Sequence, residues 1–378
     1  RCGIGALAVW ACAWAAAVLP AAADEPPARA HIGYGADHPL TQSGWRAFAD
    51  RLGREKSAPK LSLFLNGPPP DDPAAIDNLG RGDYAFGAAA LPTFADAFPY
   101  SALISELGLA GGDDELAATA AATEIIAIDC PGCRAAFQAR RVVFLGSYGA
   151  ARYVLLSRTR ANTVAAFRGL SALTPGSAWD RLIGSLGGVV QNEFGDPGDL
   201  FAKGEIGAAI TTPMDLSDPD VWAHARHALI GPFGAYRGGG AFLASAGYWR
   251  RLSPEARRAV FNAAAEGLVG VVWGYQNMAD AALRAASAQG LTIDAATPEL
   301  DEAIRAAIAA DNGRVAETAG ERFGIVDAAA FLDRFLFLYD KYAVLLSAVS
   351  DSNGAASVLR QEIFDRLDVR TYGMGQTE

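Results

Sequence analysis

Polar and apolar positions switch between two periods along most of the chain. From His31 a short strand leads into a helix across HPLTQSGWRAFADRLGREK, residues 38–56, where Trp45, Phe48, Ala49 and Leu52 recur at three-to-four spacing. KLSLFLNG then reads as a strand, with Leu61, Leu63 and Leu65 alternating with Ser62 and Phe64. PPPDDPAAIDNLGRGDYAFGAAALPTF continues as a loop, a helix and a short buried strand over residues 84–89. Strands alternating with helices of these lengths predict an α/β lobe with a mainly parallel sheet.

RVVFLGSYGAARYVLLS carries two strand-like runs broken at residues 147–150, and a second series of elements begins after it. TVAAFRGLSAL, GSAWDRLIGSLGG and DLFAKGEIGAAIT again alternate helix with short strand and predict a second lobe. GGGAFLAS, residues 238–245, reads as a strand returning to the first lobe, so the chain crosses between lobes more than once and makes a hinge. Ser253 as N-cap and Pro254 at the first helical position open a helix that Gly290 ends. Its length of about 54 Å at 1.5 Å per residue lets it run along both lobes. A break into two helices near Gly267 or Gly270 is the alternative. The expected division is a first lobe over 24–150 with a return at about 238–270, and a second over 151–237 with about 271–378.

Composition changes this picture mainly at the N-terminus. After Arg1 the chain is apolar from Cys2 through Ala23 and turns polar at DEPPARA, which reads as a signal peptide over 1–23 ending in Ala21-Ala22-Ala23. A retained membrane anchor is the competing reading, since the run is long enough to span; Cys12 is a poor lipid acceptor with bulky Trp10 two residues before it. The signal reading predicts export to the periplasm. About 355 residues then remain, more than one hydrophobic core usually serves. The formal net charge is −10 with no basic run, which argues against a nucleic acid partner.

Cys130 and Cys133, in AIDCPGCRAAF, are the only cysteines beyond the apolar N-terminal run. Outside the cytoplasm such a pair oxidises, and the first reading is a local disulfide staple. A thioredoxin-type redox pair shares the spacing, but no aromatic residue precedes it and Asp129 opposes thiolate formation. Zinc lacks a second ligand pair, and no metal or other cofactor is expected.

The order of these segments resembles the solute-binding proteins of TRAP (tripartite ATP-independent periplasmic) transporters, the dicarboxylate-binding family. HPLTQSGWRAFADRL is similar to that family's first helix, LFLNG to its second strand, and NLGRGDYAFG to its L-x-x-G-x-x-D-x-G segment. ARYVLLSRTRANTVAAFRGL resembles the hinge strand and the approach to the second lobe, DLFAKGEIGAAIT a helix-strand unit, and YWRRLSPEARRAVFNAAAE the start of the long helix. A C-P-x-C here is also similar to one branch of the family, which supports the staple. The resemblance implies a two-lobed periplasmic binding protein fold, hinge strands and a helix spanning both lobes. It further implies a receptor that captures a small organic solute by closure and hands it to membrane permease subunits; a monomer is the default expectation.

One part of the resemblance fails. The family's ligand-anchoring arginine, three residues past K-G-L, corresponds to Leu173, and its next polar group, an Asn, falls at or beside Thr211. Leu173 replaces a bidentate guanidinium with apolar surface. Replacement anchors are Arg152 and Arg237, each of which is otherwise a solvated or hinge-bracing arginine. Around them, mostly in loops after strands, stand Thr174, Ser177, Trp179, Thr211, Thr212, Phe233 and Tyr236, with Trp179 and Tyr236 equally readable as core. Tyr34, His38 and Asn66 are weaker candidates. Either Arg152 binds an anionic solute, or the pocket is apolar around Leu173 and takes a neutral one; the second reading is favoured.

His224 and His227 in HARH lack the carboxylate or Cys a metal site needs nearby. GDYAFG, GSLGG and RGGGAF lack the strand-turn-helix pattern of a phosphate cradle. No Ser-His-Asp or carboxylate pair stands out, so a non-enzymatic binding protein is expected. The alternatives are an extracytoplasmic thiol oxidoreductase using Cys130 and Cys133, and a ligand sensor that does not serve transport.

Overall fold

In a computed structural model the chain is described over residues 26–191 and 195–375; the expected signal segment lies outside the described residues. Among the described residues eleven strands form two sheets: β1 Ala28–His31, β2 Leu61–Phe64, β3 Phe86–Ala89, β4 Val142–Tyr148, β5 Val154–Ser157, β6 Ser171–Leu173, β7 Val189–Gln191, β8 Ala208–Thr211, β9 His227–Ile230, β10 Gly239–Ser245 and β11 Thr292–Ala295. The first sheet has the order β2-β1-β3-β10-β4 and the second β11-β9-β5-β8-β6-β7.

In the first sheet β1 is parallel to β2 and β3, while β10 runs antiparallel between β3 and β4. The carboxyl ends of β1, β3 and β4 therefore share an edge with the amino end of β10. In the second, β6 is parallel to β7 and β8, and β5 is antiparallel to β8 and β9. That places the carboxyl ends of β6, β8 and β9 beside the amino end of β5. The chain passes from β4 to β5, and from β9 back to β10, between these edges, so they face each other. Ala150 N–H donates to Tyr236 C=O at 2.9 Å and Tyr153 N–H to Gly234 C=O at 2.8 Å, which ties the two crossing segments together.

Two helices make the other crossings. Ser253 caps Pro254–Ala288 by accepting from Ala256 N–H at 3.1 Å, and the helix runs unbroken for 35 residues, about 52 Å. The suggested breaks at Gly267 and Gly270 are instead close approaches: a Cβ at Gly267 would collide with the Phe242 ring, and one at Gly270 would lie 2.7 Å from Ser43 O. Helix Pro298–Phe323 returns, with Leu300 and Ile304 in a core of the second lobe and Val315 and Ala319 in the core of the first.

The chain beyond Val315 departs from the expected division. Residues Val271, Tyr275 and Ala279, and then Phe331, Phe335, Leu338, Tyr342, Leu359 and Phe364, belong to the first core, so only the stretch around 283–308 packs with the second lobe. A buried carboxylate is satisfied by the same packing: Glu124 receives Lys341 Nζ at 2.8 Å, the Tyr342 hydroxyl at 2.5 Å and Arg366 at 2.6 Å, all from the C-terminal region. The alternation in β2 also misleads, for Leu63 is exposed on an edge strand paired only with β1. Residues Leu40–Trp45 form a wide π-type turn before the regular helix Arg46–Gly53. Among the described residues no single helix is long and apolar enough to cross a membrane.

Candidate functional site

Tyrosines gather where the two sheet edges meet. Tyr34 follows β1, Tyr148 ends β4, Tyr236 precedes β10, and Tyr275 comes from the middle of the long helix. The Tyr34 and Tyr148 hydroxyls are 2.8 Å apart, and Tyr148 has ring centroids 5.7 Å from Tyr236 and 6.4 Å from Tyr275. The Tyr236 hydroxyl is buried beside Tyr148 with no partner in hydrogen-bonding geometry. Burial pushes the Tyr148 and Tyr236 hydroxyls well above the ordinary phenol range, so all stay protonated donors.

His38 backs this cluster. Its ring stacks on Tyr34 at 4.0 Å, its Nδ1 accepts from Leu40 N–H at 3.3 Å, and its Nε2 lies 3.2 Å from the Tyr275 hydroxyl. With Nδ1 accepting, the proton of the neutral ring sits on Nε2 and is donated to Tyr275 Oη. Burial drives the His38 pKa down to about 4, which keeps that neutral form at physiological pH.

The second lobe presents hydroxyls and one carboxylate. Thr211, at the end of β8, donates to Asp215, and Thr212 caps the short helix Pro213–Ser217 by accepting from Met214 N–H at 2.9 Å. Burial raises the Asp215 pKa, with Asp196 and Asp218 adding to the rise against the Thr211 hydrogen bond. Met214 packs against the first core, which carries this short helix across the junction. Tyr153, at the start of β5, is buried with its ring 5.2 Å from Trp179 and feels the charge of Asp215. Leu173 is partly exposed at the end of β6, and Thr174 beside it donates to Asp180.

Arg237 is not available to a ligand. It is 1% exposed, and its guanidinium has five N–H donors. Nε and one terminal nitrogen bond Glu115 at 3.1 and 2.9 Å, and the remaining bonds go to the carbonyls of Leu107 at 3.3 Å, Ala110 at 2.5 Å and Gly112 at 3.0 Å. Burial works against its charge and Glu115 more than offsets it, so its pKa rises. Arg237 braces the hinge. Arg152 is the opposite case: its side chain is 53% exposed at the rim, with Asp113 at 4.0 Å and Glu115 also within reach of its charge.

Three further candidates are also occupied. Trp179 is buried in a core of the second lobe and donates from Nε1 to Phe233 C=O at 2.7 Å; Phe233 itself is fully buried. Ser177 donates to Glu106, a carboxylate that also meets Arg181 at 2.9 Å and Arg322 at 2.6 Å, while Arg181 holds Asp311 at 2.5 Å. This network latches the lobes together on the side of helix Pro298–Phe323. Tyr236, Thr211 and Thr212 are partly exposed at the junction, with Tyr34 and His38 beside them. Asn66 is exposed beyond β2. Sequence reasoning missed Tyr148, Tyr153, Tyr275 and Asp215. The first two flank the break between β4 and β5 and were within reach of the strand-end rule; Tyr275 carries no such signal.

Cys130 and Cys133 are buried and joined by a disulfide at the start of helix Pro131–Ala139. His227 pairs with Asp294 at 2.8 Å and His224 with the Asp220 carbonyl at 2.9 Å. Among the described residues no cluster of three or more metal-ligating side chains occurs. A recess of 590 Å³ lies at the opposite end of the first lobe, between Phe137, the start of β4 and Tyr372, so volume alone does not mark the junction.

No protein-family model matches the chain, and no curated protein matches it. Solved structures do. A TRAP periplasmic solute-binding protein from Desulfovibrio salexigens superposes with a TM-score of 0.69 at 15% identity, covering 85% of this chain and 97% of that one. The ectoine-binding protein of the TeaABC TRAP transporter of Halomonas elongata gives 0.65 at 12% identity, over 84% and 100%. A TRAP solute-binding protein from Bordetella bronchiseptica with bound mandelate gives 0.63 at 15%, over 84% and 99%. At such identities the likeness establishes the fold, which is the two-lobed α/β architecture of these proteins.

Proposed function

We propose that this chain is a periplasmic receptor of a TRAP-type transporter, a monomer that captures a small organic solute between its lobes and delivers it to membrane permease subunits. The observation that carries the reading is the junction itself: two sheet edges face each other across four chain crossings, and both lobes contribute hydrogen-bonding side chains there. Solute contacts from both edges favour a closed arrangement over an open one, which is what hinge closure requires. The similar structures belong to binding proteins with different ligands, ectoine in one and mandelate in another.

The residues point to a neutral or cationic solute. Leu173 supplies no charge and Arg237 has no donor to spare, so Asp215 is the charged side chain among the tyrosines and threonines of the junction. A dicarboxylate placed there would oppose Asp215. Tyr34 and Tyr236 offer aromatic faces, and Thr211 and Thr212 fix orientation. A thiol oxidoreductase gains no support, because the disulfide is buried in the first core away from the junction.

Isothermal titration against solutes grouped by charge, after native mass spectrometry of the undenatured protein to find any retained ligand, tests this reading. Tight binding of a neutral or cationic compound, weakened at least tenfold by Tyr236→Ala, is expected. Tight binding of succinate or malate that Arg152→Ala abolishes would show the solute class to be wrong.

A further inference from the structure

At the pole of the first lobe opposite the junction, the amino ends of β1 and β4 and the carboxyl end of β10 surround a recess of 400 Å³. Arg29, Arg81, Arg141, Arg250 and Arg251 line it. Asp83 is the one acidic side chain in that lining, and it is paired with Arg81 at 3.0 Å. On a chain of net charge −10, five guanidinium groups around one depression form a local field of the opposite sign.

Their environments differ. Arg29 lies over the Phe64 and Tyr84 rings at 4.9 and 5.3 Å, and Arg251 bonds the Gly247 carbonyl at 3.2 Å. Arg141 and Arg250 have no side-chain partner among the described residues, and both also line the neighbouring 590 Å³ recess. Arg141 has φ +55°, the only left-handed non-glycine among the described residues. Its backbone is fixed there, for its N–H donates to Gln138 C=O at 2.9 Å and its carbonyl accepts from Ala246 N–H at 2.9 Å. Glycine or asparagine would adopt this conformation at lower cost.

The floor supplies a second, independent sign. Ser245 is 0% exposed and its hydroxyl has no hydrogen-bond partner. Gly82 and Gly247 lie over it, since a Cβ on either would stand 3.5 and 3.7 Å from Ser245 Oγ. A buried hydroxyl left unpaired is costly, and an acceptor entering the recess would relieve it.

We infer that this recess binds a phosphate group. Arg141 and Arg250 supply charge and forked donors from the rim, and Ser245 donates from below. Donors from several directions suit a tetrahedral oxyanion better than a planar carboxylate. The group is either free phosphate or the phosphate of an anionic lipid headgroup, which present the same tetrahedral oxyanion to Arg141, Arg250 and Ser245.

The test uses the full chain, wild type against the double variant Arg141→Asn/Arg250→Gln, whose side chains hold nothing else in place. Titration with inorganic phosphate is one arm; co-sedimentation with phosphatidylglycerol or phosphatidylcholine vesicles is the other. A wild-type affinity for phosphate at least tenfold above that of the double variant assigns free phosphate. A tenfold preference confined to phosphatidylglycerol vesicles and lost in the variant assigns the lipid headgroup. Equal behaviour of wild type and variant in both arms overturns the inference. Ser245→Ala, nearly unchanged in volume, is expected to weaken the same binding several-fold without lowering Tm; full affinity in that variant removes Ser245 from the site.

Discussion

The first lobe buries one continuous core, in which Phe242 stacks on Phe48 at 4.8 Å and meets Trp45 at 4.9 Å, and the C-terminal helices cover its outer side. The second lobe divides its apolar residues among separate clusters, the smallest made of Leu200, Phe201, Ile206 and Ala209. Burial in many small clusters gives less cooperative stability than burial in one. The comparison marks the first lobe as the larger scaffold, with the second attached to it through the hinge segments and the two crossing helices.

Core truncations sharpen that contrast most. Phe242→Ala is expected to cost about 3–5 kcal/mol and to lower the main calorimetric transition. Phe201→Ala acts on its own cluster, so hydrogen exchange should quicken in β6 and β8 while β4 and β10 keep their protection. Loss of protection in β4 in that variant would break the contrast.

At the hinge, Arg237→Met strands Glu115 and three backbone carbonyls, and a loss of about 3–5 kcal/mol is expected from chemical denaturation. Arg152→Ala, at the exposed rim, should stay within about 0.5 kcal/mol.

The lobes should also answer pH with opposite signs. His38 in the first lobe is held neutral with a pKa of about 4 against 6.5 unfolded, so its contribution is complete above pH 6.5 and is lost as pH falls toward 4. The loss is about 3 kcal/mol at most, and His38→Gln should remove that slope. Asp215 in the second lobe has a raised pKa, so its contribution is present below the ordinary carboxyl range and lost as pH rises through the folded value. Asp215→Asn should therefore stabilise the chain more at pH 7 than at pH 4 in thermal melts. Reduction of the Cys130–Cys133 disulfide opens only a short local loop and should cost no more than about 2 kcal/mol by denaturant titration.

Much of the scaffold was legible because it rests on local rules. Ser253, Pro254 and Gly290 bounded the long helix, and the glycines of GGGAF marked a strand that returns to the first sheet. The C-terminal region was placed with the wrong lobe because helical period says which face is buried and not which core buries it; contacts far apart in sequence, such as Glu124 with Lys341 and Arg366, carry no signal in the pattern. The junction was half legible. Thr211, Thr212 and Tyr236 follow from strand ends, whereas Arg237 looked like an anchor until its five donors were found to be taken. Trp179 and Phe233 became core by contacts that no sequence spacing reveals.

Closure on a solute between the lobes would change a distance across the junction. Spin labels at Asp37 on the rim of the first lobe and Asp180 on the second report that distance by double electron-electron resonance. Saturation with the tightest compound of the titration panel is expected to shorten it by several ångströms and narrow its distribution. An unchanged distribution at full occupancy would contradict the account.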